Sequence, residues 1–357
     1  MKKTILNIIS LSLLALTVGC STNQPIEDSS SSSFSSLSSE SKSSSSTSSS
    51  TSKSSSRSSN SSSTANLPEE LSTESGLVVK FKAQGARIDK IYWGNKQIAK
   101  DGFTVGRVAN RIANGRFTLN GTVYNVTKNV GQHSLHGGGS SWQGPFANAT
   151  WTKVSHTSSS IKYSIHSPDG ADGYPGNLDM SVTYTLSQAG ELSIEYEATS
   201  DKDTLCNPTN HLYMALNGTT SYSNLKLQIN ADNYTPLRND IPTGEISPVE
   251  GTQFDYRTEK AFDSSKEYDH NYVLNGTGYR KVASLTGETL GVRVEVFTDR
   301  PGLQLYKATQ ESSICLETQM FPDMINQPTF AEYGTTILRA NEQFKSKTTY
   351  AFSAAEK

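Results

Sequence analysis

From Leu77 onward the apolar residues recur at every second position rather than every third or fourth. The runs LVVKFKA, RFTLNGTVYNV, SIKYSIHS, LDMSVTYTLSQAGELSIEYEAT, LKLQIN, LGVRVEVFTD and TTYAFS all show this period, with β-branched or aromatic members. Strands are predicted throughout, and no segment reads as a long amphipathic helix. In RFTLNGTVYNV the dipeptide Asn120-Gly121 separates two alternating runs. Both residues tolerate positive φ, so a tight hairpin is predicted there. Many short antiparallel strands predict an all-β fold, a large antiparallel β-sandwich rather than alternating α/β layers.

The N-terminal part follows a different pattern. Lys2 and Lys3 precede an apolar run from Ile5 to Val18 and the dipeptide Gly19-Cys20. That run is short for a membrane span, and residues 1–20 read as a lipoprotein-type signal peptide with Cys20 as the lipidation site. Between Ser29 and Ser63, 26 of 35 residues are serine. Such a composition cannot bury enough apolar surface to offset the entropy of ordering. A flexible tether is therefore expected over residues 21–74 and one folded domain over residues 75–357, with the mature protein lipid-anchored in the cell envelope or secreted.

Charge narrows the partner. The 357 residues carry 32 basic and 34 acidic side chains, so no strong field attracts nucleic acid, and a neutral small molecule is the better expectation. Membrane contact is expected through the lipid anchor alone. The sequence does not specify an oligomeric state. After Cys20 only Cys206 and Cys315 remain, too few for a disulfide framework, and they read as buried free thiols, with a disulfide between them the alternative in an oxidising compartment. Neither a phosphate-binding glycine loop nor a metalloprotease helix motif occurs, and His133 and His136 lack further ligands nearby in sequence, so no metal and no cofactor are expected.

Titratable and polar residues concentrate in a few segments. SICLETQMFPD places Glu317 among uncharged neighbours on a strand-prone stretch, either an exposed accident or a base. In NPTNHLYMALNG, His211 can give or take a proton near neutrality, and Tyr213 shares its face if the chain is extended. A core histidine bonded to a carbonyl is the plain alternative. Arg111 and Asp269 offer a donor fork and an acceptor pair suited to sugar hydroxyls, or a surface ion pair. Gln304 is a strand amide. Trp142, Trp151 and Tyr174 could stack on a pyranose face, but large aromatics of a sandwich more often belong to its core.

Taken in order, GRVANRIANGRF, LHGG, DGADGYPGNL, NPTNHLY, NYTPLRNDIPTGEISPVEGTQFDYR, YDHNYVL, PGLQLY and CLETQMFPDMINQP resemble the aldose 1-epimerases, or galactose mutarotases. The resemblance runs from about Gly106 to Pro328. It implies a β-sandwich of the galactose mutarotase type that interconverts α and β anomers of a free aldohexose without a cofactor. It implies Glu317 as general base at the C1 hydroxyl and His211 as general acid at the ring oxygen. It further implies sugar binding by Asn110, Arg111, His136, Tyr213, Asp269 and Gln304. A bell-shaped pH profile would follow, its lower limb from the carboxylate and its upper limb from the imidazolium. Two stretches depart from the family pattern, MALNG after Tyr213 and SSWQGPFANATW after the LHGG segment, and they leave the preferred sugar open. The rival expectations are a non-catalytic carbohydrate-binding module, which needs no proton-transfer pair, and a glycoside hydrolase or lyase, which needs two carboxylates across a glycosidic bond.

Overall fold

In the computed structural model, residues 69–218, 221–308 and 311–356 are described. The signal segment, Cys20 and nearly all of the expected tether lie outside them. Among the described residues, ten strands form one sheet and nine another, and the strand-to-strand pairings of both are antiparallel. Side-chain alternation carries the packing. Leu178–Leu186 buries every second residue and pairs along its whole length with Glu191–Ser200. Leu192 and Ile194 then meet Val79, Ile88, Val294 and Val296 in one apolar cluster. The predicted sandwich is present. The expected hairpin is present too, Arg116–Leu119 pairing with Thr122–Asn125 around Asn120 (φ 50°) and Gly121 (φ 77°).

One boundary moves. Glu70–Ser72 is a strand paired with Leu77–Lys82, and Leu71 is buried. The folded region therefore reaches at least to Glu70, inside the stretch read as tether. A single apolar residue among PEELS is too short a pattern to signal a strand. Among the described residues, no helix is long and apolar enough to cross a membrane.

Five neighbouring strands of the larger sheet position the chemistry: Lys96–Val105, Thr209–Met214, Ile314–Gln319, Gly302–Lys307 and Asp269–Val273. Ile314–Gln319 is buried at every residue. Ile314 and Leu316 enter the apolar cluster between the sheets, so Cys315, Glu317 and Gln319 project from the opposite face. The same rule turns Leu212 and Met214 toward the core and sets His211 and Tyr213 on the face of Glu317. Both cysteines are buried and free. Trp151 and Tyr174 belong to the core, whereas Trp142 is 45% exposed on a Ser/Gly-rich loop.

Candidate active site

Strand register gathers the predicted residues. Gln304 pairs with Glu317 and Asn271 with Gln304, while His211 lies opposite Phe103. Glu317 and His211 are both buried, and His211 Nε2 stands 3.5 Å from Glu317 Oε1. Burial excludes the exposed glutamate, and the contact gives His211 a carboxyl neighbour that a plain core histidine bonded to a carbonyl would not need. The imidazole is stacked on Phe103 (5.0 Å) and Tyr213 (4.8 Å), and meets Tyr306 and Trp142 edge-on.

His136 reaches the pair from a loop. One nitrogen of His136, one of His211 and a Glu317 oxygen all lie within 4.8 Å of one another. Asn110 and His136 are bonded to each other twice. The Asn110 N–H donates to His136 Nδ1 (3.1 Å), and the His136 N–H donates to the Asn110 carbonyl (3.0 Å). Because Nδ1 accepts, the His136 proton sits on Nε2, and that nitrogen is a fixed donor. Both residues hold positive φ (58° and 53°), a conformation that costs stability and persists where surroundings impose it. Gly137 completes the turn: a Cβ there would stand 2.2 Å from the Gly106 carbonyl oxygen.

The sugar-binding candidates form a second group. Gln304 Nε2 donates to Asp269 Oδ1 at 2.6 Å, and Arg111 stands 3.5 Å from Asp269 Oδ2. Buried Gln319 donates to Gln304 Oε1 (3.3 Å) and to Asn271 Oδ1 (3.2 Å), fixing the amide that fixes Asp269. Gln319 and Asn271 were missed by sequence reasoning, although the two-residue period of ETQ and DHN puts each on the face of its functional neighbour. Phe103 and Tyr306 were also missed, and only the register reveals them. Arg107, four residues before Arg111, is wholly structural: it is buried and donates to the Ser167, Pro168 and Pro175 carbonyls.

Beside His211 opens a cleft of about 500 Å³ whose walls include Phe103, Trp142, Tyr213 and Tyr306. Arg111, Asp269 and Glu317 do not line it, and it meets the proton-transfer pair through the rings around His211. Ion pairs Lys100–Glu311 (2.6 Å) and Arg87–Asp101 (3.0 Å) border it.

Burial sets the protonation. Desolvation first, then the charge of Asp269, pushes the Glu317 carboxyl well above its ordinary value, and Arg111 only partly opposes this. Desolvation lowers His211 to about 4. These opposite shifts favour the neutral form of both groups at the 3.5 Å contact over a salt bridge. This reverses the expected assignment of the pH limbs, because burial without a compensating charge moves an acid and a base in opposite directions. Burial likewise raises the Tyr213 phenol, which stays a donor.

A buried carboxyl and imidazole in contact, with aromatic rings and an Arg–Asp–Gln group beside them on a β-sandwich, have the residue types that general acid–base chemistry requires. The profile of the aldose 1-epimerase family matches residues 70–351. Aldose 1-epimerase of Haemophilus influenzae is 36% identical over 278 residues, covering 70% of this chain and 80% of that protein. Galactose mutarotase of Rattus norvegicus is 38% identical over 279 residues, covering 71% and 79%. The solved structure of an aldose epimerase homologue from C. elegans superposes with a TM-score of 0.74 at 26% identity, over 80% of this chain and 98% of that one. The chain belongs to the aldose 1-epimerase family and is an isomerase.

Proposed function

We propose that this enzyme interconverts the α and β anomers of a free aldohexose of the galactose or glucose type, with Glu317 as base and His211 as acid. The observation that carries this reading is the 3.5 Å approach of His211 Nε2 to Glu317 Oε1 in a buried pair. Opening a cyclic hemiacetal needs one proton removed from O1 and one delivered to O5. Rotation about C1–C2 then presents the other carbonyl face, and closure returns both protons. A pair holding one proton is sufficient: in the form Glu−/His+ it opens the ring, and in the form Glu-H/neutral His it closes it. Paired transfer of this kind contributes about 10²–10⁴-fold. Asn110, Arg111, His136, Tyr213, Asp269 and Gln304 supply donors and acceptors for hydroxyls. Asp269 accepts from Gln304 on one oxygen and faces Arg111 with the other, so both oxygens are engaged in holding the Arg–Asp–Gln group, which counts against the hydrolase reading.

Polarimetry on freshly dissolved pure anomers of galactose, glucose, xylose and arabinose tests the reading and ranks the sugars. Faster approach to the equilibrium rotation supports it, and release of reducing ends from an oligosaccharide without mutarotation would overturn it. Arg111→Ala is expected to raise KM about 10-fold or more, the scale of a lost charged hydrogen bond, without moving the pH profile, since a guanidinium does not titrate in the working range. An intact KM with a collapsed kcat would place Arg111 in the chemistry instead.

The same proposal places the enzyme outside the cytoplasm on a serine-rich tether lipidated at Cys20, an inference supported by the sequence pattern of residues 1–63. Cys20→Ser is expected to move the protein from the membrane fraction to the soluble one. Recovery of the unaltered protein in the soluble fraction would contradict it.

A further inference from the structure

Cys315 and Glu317 stand two residues apart on the strand Ile314–Gln319, hence on one face and roughly 7 Å apart along it. The His211 imidazole, from the adjoining strand, lies between them. Its Nε2 is 3.5 Å from Glu317 Oε1 and its Nδ1 is 3.4 Å from Cys315 Sγ. Phe103 and Tyr213 stack on the ring, and beside a backbone hydrogen bond at His211 itself Glu317 and Cys315 are the side chains at its two nitrogens.

We propose that Cys315 is a positioning residue whose sulfur accepts a hydrogen bond from His211 Nδ1–H, holding the imidazole in the tautomer whose Nε2 is free to exchange the catalytic proton. The inference rests on His211 acting as the acid. A general acid working through Nε2 passes from imidazolium to the Nδ1–H neutral form when it protonates O5. It must recover that proton through the same bare Nε2 when the ring closes. If the neutral ring moved its proton to Nε2, it could no longer accept, and the cycle would stall. A partner at Nδ1 that accepts therefore keeps the acid reversible.

The choice of a thiol follows from the same chemistry. A carboxylate at Nδ1 would stabilise the imidazolium and weaken it as an acid. Cys315 is fully buried, and desolvation above all raises its thiol well above the ordinary value, keeping its sulfur protonated. A neutral, weakly accepting sulfur fixes the tautomer while leaving the proton affinity of His211 low. His136 is locked the opposite way, with Nδ1 accepting from the Asn110 N–H. The two histidines at one site thus hold complementary tautomers, His136 a permanent donor and His211 a shuttle.

The test is a long-range 1H–15N correlation spectrum of the imidazoles at neutral pH, the His211 signal being assigned by its loss in His211→Asn. The wild-type enzyme is expected to show the Nδ1–H pattern for His211, and the Nε2–H pattern would overturn the proposal without any variant. Cys315→Ala is expected to shift His211 toward Nε2–H and lower kcat about 3- to 10-fold, the scale of one net hydrogen bond, with KM unchanged. Cys315→Ser, which keeps an acceptor, is expected to restore both. A fall in kcat with the tautomer unaltered, or no change in either, would reduce Cys315 to a packing residue. The spectrum does not depend on turnover, so its outcome is separate from the acid–base reading, which fails instead if His211→Asn retains activity.

Discussion

Replacing Glu317 by Gln is expected to lower kcat by about 10²–10⁴-fold while sugar binding survives. Gln keeps the shape and hydrogen-bonding capacity of the side chain but can neither take the O1 proton nor return it. The same substitution is expected to stabilise the fold at alkaline pH. Desolvation and Asp269 raise the carboxyl of the folded state above 4.5, the value set by the unfolded chain. Below 4.5 both states hold the proton. As pH rises from there, the unfolded chain releases its proton while the native state retains it, so stability falls until the native carboxyl itself ionises. The amide of the Glu317→Gln variant, which does not titrate, would carry no such penalty. The gain of the variant over wild type should grow by up to about 1.4 kcal/mol per pH unit across that span. Urea unfolding at pH 5 and pH 9 measures it, and parallel stability curves would show that the Glu317 carboxyl is not desolvated. The base of this enzyme is thus expected to weaken the fold that holds it.

His211→Asn is expected to cost a similar factor from the other side of the ring. The double variant should be scarcely slower than either single one, because two groups that pass one proton fail as a unit. The pH dependence of kcat/KM should be bell-shaped, and the pair, rather than either residue, owns its limbs. On the acid side a second proton enters at His211, near pH 4. On the alkaline side the last proton leaves Glu317, well above the usual carboxylate range. Between these limits the pair holds the single proton that the cycle needs. In His211→Asn the acid limb should vanish from the residual activity. A limb that persists unchanged near pH 4 would assign it to another group.

How much of this could be read in the sequence depended on what each residue's neighbours reveal. Period-two alternation exposed the sandwich because strands such as Leu178–Leu186 have one buried and one partly exposed face. In Ile314–Gln319 it grouped Glu317 with Gln319 but could not show that their face is buried as well. The Asn120-Gly121 hairpin was legible because the turn chemistry is local. The mutual bonds of Asn110 and His136 were not, since two positive-φ residues 26 positions apart leave no local trace. Arg107 and Arg111 sit in one short segment, and only burial separates the structural guanidinium from the one facing Asp269. The resemblance pointed to His211 and Glu317 as the proposed acid and base, but where their proton rests is a property of desolvation, which appears only once the strands enclose the pair. Trp142 shows the converse: an aromatic that composition assigns to a core stands exposed at the mouth of the cleft.

Whether the buried Glu317–His211 pair moves the protons of the hemiacetal can be read from the rotation of the sugar itself. The most direct measurement is the optical rotation of freshly dissolved α-galactose with equal amounts of folded wild-type and Glu317→Gln enzyme. Rapid decay to the equilibrium rotation is expected with the wild type, and a decay close to the uncatalysed rate with the variant. A folded, sugar-binding Glu317→Gln enzyme that mutarotates at nearly the wild-type rate would contradict it.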